Sequence, residues 1–369
     1  MTIHVVCLDG TGQIKRQPNP TNISQIFDAL GGTPHDALNG SWETTSEGVT
    51  GKYLAGVGTQ GDPVLKILGN AFGDGIAEPI IRGYTYLSRS YQPGDEIIIS
   101  GFSRGATAAR ALAGMVVKQG LLAQGGYNPD LKTDAYLRAV AAWYLYRGPQ
   151  SGFVQRMGFH IISGIEGLHL PQLAEADFTQ PPKVTAVAVF DTVSSLGLAF
   201  PTFGPHGFGA AFDFSICDTN LSPDIPNGFH ALSADETRDI FGPTFWTARD
   251  GVVQQIFPGC HSDVGGGFPN RGLSDGALAW MLEQLQGVGL PFNAGALDPP
   301  LQPNAIAPAE NDAAKFPFYL TPRSARAFPK CAVPNDTLEK RRGKDVEMLP
   351  SVSPAPYQPI GTYADGRPL

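Results

Sequence analysis

The hydrophobic pattern alternates between short apolar runs and amphipathic stretches. Ile3 to Leu8, Lys52 to Gly58, Ile97-Ile98-Ile99, Val184 to Phe190 and Val252 to Phe257 read as strands, most of them apolar enough for burial on both faces. Between them, Thr21 to Leu30 puts Ile23, Ile26, Phe27 and Leu30 on one helical face, and Glu78 to Tyr91 does the same with Ile80, Tyr84, Leu87 and Tyr91. An alanine-rich helical segment follows Gly105, and Leu273 to Leu285 is a further amphipathic helix. Strands alternating with such helices predict an α/β fold with a mostly parallel sheet covered on both faces.

The rhythm breaks twice. Residues 120–182 are loop-like apart from a helix expected over Leu131 to Tyr146, whose Tyr136, Val140, Trp143 and Tyr144 suit core packing and substrate contact equally well. Residues 198–250 are rich in Phe, Gly and Pro, and inside them Ser233-Ala234-Asp235-Glu236 matches a capping box before a short helix. Both regions read as lid-like insertions over the active face of one domain, residues 1–290. The proline-rich residues 291–369 show no periodicity and read as an extension wrapping that domain without a second core.

Chemistry concentrates at the predicted strand ends. Gly101-Phe102-Ser103-Arg104-Gly105 lies between a buried strand and an alanine-rich helix, the setting that turns G-x-S-x-G into a nucleophile elbow. The turn lifts the Ser103 hydroxyl clear of the sheet, and the N–H of Arg104, opening the helix, points where an oxyanion would form. Asp191 and His261 follow two later strands, so Ser103, Asp191 and His261 occur in the nucleophile–acid–histidine order of the α/β-hydrolases. Serine needs an imidazole to take its proton, and the imidazole needs a carboxylate to fix its tautomer. Asp263 is the rival acid, although its place two residues from His261 suits bracing the glycine-rich turn; His206 and His230 are weaker alternatives for the base. The loop Gly10-Thr11-Gly12 after the first strand is the candidate for the second oxyanion donor, through the N–H of Thr11. An Asp-Gly-Thr after a strand also suits haloacid-dehalogenase phosphatases, but their nucleophilic aspartate would fall at Cys7, and that reading fails.

Composition narrows the class. Among 369 residues, 42% are hydrophobic and 16% charged, and no apolar run could span a bilayer. A net charge of −8 argues against nucleic acid as a partner. The chain enters a strand at once, without a signal peptide, and its four scattered cysteines suit a reducing compartment, so the expectation is a protein cytoplasmic as synthesised. No His pair has zinc spacing; neither a catalytic metal nor another cofactor is expected.

LDGT at 8–11, TNI at 21–23, AGVGT at 55–59, GDEIIISGFSRGATAARALAGM from Gly94, FDTVSSLG at 190–197, FPGCHSDVGGG at 257–267 and LSDGALAWMLEQ at 273–284 occur in one order. Together they resemble the α/β-hydrolase domain of the type VI secretion lipase effectors of class 1 and their bacterial relatives. Gly12-Gln13 in place of Trp-Asn, and Cys260 in place of a branched aliphatic, depart from that pattern. The resemblance implies an α/β-hydrolase fold and a phospholipase of A-type acyl-ester specificity with Ser103, Asp191 and His261 as its triad. It also implies transient contact with a membrane surface, export by a signal-independent secretion system, and an immunity or secretion partner that the sequence does not identify. An esterase or thioesterase for small soluble acyl compounds is the alternative; a non-catalytic binding module on the same scaffold is a third reading. Lys340, Arg341, Arg342 and Lys344 form the only dense basic cluster, open to a solvated loop or a headgroup contact.

Overall fold

Every residue of the first strand, β1 (Ile3–Leu8), is buried, as in a strand covered on both faces. The computed structural model describes residues 1–37, 40–56, 76–124, 132–147, 170–193, 220–314, 322–349 and 351–369. After β1 come α1 (Asn22–Ala29), β2 (His35–Asp36), β3 (Ser41–Ser46), β4 (Val49–Leu54), α2 (Ala77–Ser90), β5 (Glu96–Phe102), α3 (Arg104–Gln119) and α4 (Lys132–Arg147). β6 (Lys183–Phe190), β7 (Asn227–Ser233), β8 (Val252–Phe257), α5 (His261–Gly265) and α6 (Gly272–Gly287) complete the regular part. The remainder holds β9 (Ala309–Glu310), β10 (Ala327–Phe328), β11 (Ala332–Pro334), α7 (Asp336–Arg341), β12 (Asp345–Leu349), β13 (Ser351–Pro356) and β14 (Thr362–Tyr363).

Among the described residues one sheet runs in the order β11-β8-β7-β6-β5-β1-β4-β3-β2. From β11 to β4 all neighbours are parallel, and β3 and β2 add antiparallel strands at one edge. Alternate residues of the central strands feed two cores. Val6, Leu8, Ile97, Ile99, Val187 and Val189 pack with Ile80, Tyr84 and Leu87 of α2 and Leu112 of α3. On the opposite face Cys7, Ile98, Ala188 and Phe190 pack with Ile23 and Phe27 of α1 and Leu278 and Met281 of α6. At roughly 1.5–3 kcal/mol for each large apolar side chain fully buried, these two layers supply most of the drive to fold. The chain is therefore of the α/β class, with a mixed sheet.

Several expectations change. The strand expected over Lys52 to Gly58 is Val49–Leu54, because its register with β1 begins at Ile3 opposite Val49; residues 57 and 58 lie outside the described residues. The larger correction concerns residues 198–250. Asn227–Ser233, within the expected irregular insertion, is a strand of the sheet interior between β6 and β8. The capping-box reading holds only in part: the Ser233 hydroxyl accepts the Glu236 N–H at 3.2 Å. The short helix that comes next is a single 3-10 turn over Asp239–Phe241, which begins beyond Arg238 and is not capped by Ser233. Instead the Glu236 side chain turns to Arg238. In α4, Val140 and Trp143 belong to the first core and Tyr136 and Tyr144 pack against it, which favours packing over substrate contact.

The extension after residue 290 docks on the domain. β11 adds to the sheet beside β8, and Phe328, Ala332, Leu338 and Leu369 share a buried cluster with Leu232 of β7 and Ile256 of β8. Among the described residues no helix is long and apolar enough to cross a membrane.

Candidate active site

Ser103 follows β5 with φ 57° and ψ −124°, a conformation that typically costs about 1–3 kcal/mol outside glycine. Surrounding hydrogen bonds hold it there. Its N–H donates to Phe190 O of β6 at 3.1 Å, and its carbonyl accepts from Ala106 N and Thr107 N in the first turn of α3. The turn is so tight that a Cβ on Gly101 would overlap the carbonyl of Gly105, and one on Gly105 the carbonyl of Leu8. Only glycine permits that approach of helix to sheet.

Phe102 of β5 pairs in register with Phe190 of β6, and Phe190 with Ala231 of β7, so Ser103 and Asp191 leave neighbouring strands at one level. Asp191 also has positive φ, 39°. Its N–H donates to Ala231 O at 2.7 Å, and its Oδ1 accepts the N–H of Ser233 at 3.0 Å. Its Oδ2 lies 2.6 Å from Nδ1 of His261. With the proton on Nδ1 facing this carboxylate, Nε2 is left as the acceptor.

His261 opens α5, beyond the end of β8, and its imidazole sits between two rings. Phe102 lies 4.7 Å away on one side and Phe241 4.8 Å on another, centroid to centroid. The His261 N–H donates to Glu236 Oε2 at 3.2 Å, and Glu236 is itself clamped by Arg238 at 2.8 and 2.6 Å. Ser103 is thus the residue after a ring that supports His261, and Asp191 binds that same imidazole. The structure brings all three to one end of the sheet.

A fourth side chain completes the group. Arg326 donates to Asp191 through both terminal nitrogens, at 2.6 Å to Oδ1 and 2.9 Å to Oδ2. Burial would raise the Asp191 carboxyl, but the Arg326 charge and the bond to His261 outweigh it and hold the group well below the usual carboxylate range. Removing one partner of such a buried pair typically costs about 3–5 kcal/mol. Sequence reasoning missed Arg326 altogether. A faint signal exists: buried Arg326 and Phe328 flank exposed Ala327, so a charge occupies the inward face of a period-two pattern.

The other candidates have different places. Asp263 Oδ2 accepts from Cys260 N at 2.9 Å and Glu310 N at 3.1 Å, so its bonds brace the turn and dock the extension, and burial pushes its carboxyl up to about 7. His230 is fully buried in β7, where Nε2 accepts the N–H of Thr192 at 3.1 Å; burial first, then the charge of Arg110, pushes it down to about 3. His206 lies outside the described residues. The Cys7 and Cys260 thiols are both pushed up by burial.

The loop after β1 approaches Ser103. A Cβ on Gly10 would stand 3.5 Å from Ser103 Cβ, which places the loop carrying Thr11 beside the serine. Gly10 O accepts from Gln13 N, and Gln13 O from Gly56 N, so the loop is pinned. Beneath it the Asp9 carboxylate accepts from Tyr53 and Thr21 hydroxyls at 2.6 and 2.7 Å and from Gly10 N at 2.7 Å. Burial nevertheless pushes Asp9 up to about 6. Thr21 also caps α1, and Asn22 Nδ2 donates to Val264 O and Ser274 O, tying α1 to the histidine loop.

The basic cluster divides. Arg341 is fully buried, donates to Ala305 O and Ala307 O, and stacks 4.8 Å from the Tyr357 ring, so it is unavailable to a headgroup. Arg342 pairs with Glu339, while Lys340 and Lys344 are exposed.

Parallel strands that gather a serine, a carboxylate-bound histidine and a glycine-hinged turn at one end make that end the candidate active site of this α/β chain. Residues 3–284 match the family described as T6SS, Phospholipase effector Tle1-like, catalytic domain, and the chain belongs to this family of lipid-ester hydrolases. An uncharacterised protein of Saccharomyces cerevisiae is 33% identical over 135 residues, 33% of this chain and 18% of that protein. An uncharacterised protein of Pseudomonas aeruginosa, known as a crystal structure, aligns at 18% identity and TM-score 0.40 over 79% of this chain and 46% of its own. A Tle1 effector bound to the VgrG spike of the type 6 secretion system aligns at 18% identity and TM-score 0.41, over 73% and 52%. The chain spans about half the length of these two solved structures.

Proposed function

We propose that this chain is a serine hydrolase of α/β-hydrolase fold that cleaves carboxylic esters of phospholipid or similar lipids, with A-type acyl-ester specificity. The observation that carries the reading is the 2.6 Å bond between His261 Nδ1 and Asp191 Oδ2, placed against the ring of Phe102 immediately before Ser103. Membership of a phospholipase family supports the lipid substrate, and its secretion-system description supports export after synthesis in the cytoplasm.

In this reading His261 Nε2 takes the Ser103 proton as Oγ attacks the ester carbonyl, and Asp191 stabilises the imidazolium that forms. The N–H groups of Arg104 and Thr11 receive the oxyanion, each such donor being worth roughly 10²–10³ in kcat. Collapse expels the alcohol, protonated by His261, and leaves an acyl-Ser103 ester. Water, activated by the same imidazole, then releases the fatty acid and regenerates the hydroxyl.

The deciding experiment compares hydrolysis rates across acyl esters of increasing chain length, monomeric and micellar, beside a defined phospholipid. A lipid-directed enzyme prefers long chains and gains rate on aggregation. A preference for short, monomeric esters would replace it with a soluble esterase.

A further inference from the structure

Arg326 lies beyond residue 284, where the family match ends, in the extension that packs on the far side of β8. Its two terminal nitrogens carry four hydrogens, and all four have acceptors. Nη1 serves Asp191 Oδ1 at 2.6 Å and Ser233 O at 2.9 Å; Nη2 serves Asp191 Oδ2 at 2.9 Å and Phe241 O at 2.7 Å. One planar fork therefore joins the turn after β6, the end of β7 and the segment whose ring flanks His261. The arginine is itself held in place. Its carbonyl accepts Thr362 N at 2.9 Å, and Phe328, two residues on, sits in the cluster shared with Leu232 and Ile256.

We propose that Arg326 is a positioning residue for ester hydrolysis: it fixes the Asp191 carboxylate against His261 and balances its charge. The inference rests on the serine-hydrolase reading for its catalytic consequence, though not for the clamp itself. Asp191 is wholly buried, and without Arg326 it would keep only the Ser233 N–H and the imidazole as donors. Each carboxylate oxygen would then keep one donor of its two, so its χ2 is held less firmly and the imidazole that leans on Oδ2 is aimed less firmly in turn. The charge matters as much. An uncompensated carboxylate holds the proton on His261 more strongly, so the imidazole stays cationic to higher pH and cannot act as base there.

Other charged and titratable groups around this pair remain in any Arg326 variant. Glu236 with its partner Arg238 faces His261 from the loop after β7, His230 stands behind Thr192 in β7, Arg110 of α3 acts on His230, and Asp263 lies on α5 itself. A change confined to Arg326 thus isolates its own charge and geometry.

The test uses the full chain carrying Arg326→Lys, Arg326→Met or Arg326→Ala, each checked for folding by thermal melt. In kcat/KM on a soluble ester, the expected result is a loss of roughly 100-fold, carried by kcat. The acid limb of the pH profile moves up by about one unit or more. Guanidinium ion added to Arg326→Ala restores both, and Arg326→Lys, which keeps the charge but loses the fork, falls between. A second readout needs no turnover: the far-downfield proton resonance of the His261–Asp191 bond shifts or broadens in the variants and returns with guanidinium. If Met or Ala fails to fold, Arg326→Lys alone must still lower kcat and move the resonance, because it loses the fork while keeping the charge. Should the limb and the resonance stay put, with any loss of rate matching the loss of folded protein, the proposal is overturned. If the resonance responds to Arg326 while wild type neither turns over esters nor takes a serine-directed phosphonate, the clamp stands and the hydrolase reading falls.

Discussion

The ring of Phe102 lies 4.7 Å from the imidazole of His261, tilted by 32°, so the residue before the proposed nucleophile supports the proposed base. That contact depends on a glycine in the histidine loop, because a Cβ on Gly265 would overlap the Phe102 ring. Gly265 is not among the positive-φ glycines, so a substitution there acts through space and not through backbone strain. Gly265→Ala is expected to cost about 1–3 kcal/mol by overpacking and to lower kcat through the displaced ring. Pairing it with Phe102→Leu should recover part of the stability. Denaturant midpoints of the two single variants and the double decide the matter, and strictly additive losses would separate the glycine from the ring.

Ser103→Ala should fold and lose roughly 10⁶ in kcat, as removal of a triad nucleophile does. A serine-directed phosphonate should label wild type and leave the variant unmodified. The positive φ adds a second expectation. Ser103→Gly should be more stable than Ser103→Ala by about 1 kcal/mol, since glycine adopts this turn without strain. Phosphonate labelling of either variant would place the nucleophile elsewhere.

Asp191→Asn is expected to cost on the order of 10⁴ in kcat by favouring the wrong imidazole tautomer. Asp263→Asn, whose carboxylate meets backbone N–H groups of Cys260 and Glu310, should leave kcat within about tenfold of wild type and act on stability. Rates measured on both folded variants test the assignment, and comparable losses would refute it.

The raised carboxyls give a pH dependence with a definite sign. Burial pushes Asp263 up to about 7 and Asp9 up to about 6 from an ordinary 3.8. Between about pH 4 and those values the native protein binds more protons than the unfolded chain, so these two groups lower stability as pH rises through that window. Asp191 works in the opposite sense, its contribution being present above its unfolded value and lost as pH falls through the folded one. Asp263→Asn removes one descending component. Relative to wild type it should therefore gain stability from pH 5 to pH 8, by a few kcal/mol at most at about 1.4 kcal/mol per pKa unit. Urea midpoints at the two pH values measure the gain, and an unchanged difference would contradict it.

The parts legible in the sequence were those whose local pattern matches their final environment. Ile97-Ile98-Ile99 is buried as a run, and Gly101 to Gly105 carries its steric reason within five residues. β7 hid because it spends its polar residues on internal bonds. Asn227 donates to Thr185 O, His230 receives Thr192 N–H and Ser233 Oγ donates to Gly259 O, so an interior strand has the composition of a loop. β3, Ser-Trp-Glu-Thr-Thr-Ser, is polar for another reason: it lies near the sheet edge and is only partly buried. Arg326 was hidden by distance. Its partner Asp191 is 135 positions away, and the period-two pattern around it spans only Arg326 to Phe328.

The same separation governs the order in which the chain leaves the ribosome. Ser103, Asp191 and His261 all emerge before Arg326, and at about 5–20 residues per second the interval from Asp191 to Arg326 is on the order of ten seconds. During that interval a nascent chain can build much of the sheet, with Asp191 lacking its counter-ion and β8 its outer neighbour. Under the proposed reading, full rate on lipid therefore waits for the docking of the extension, after Ser103, Asp191 and His261 have all been made.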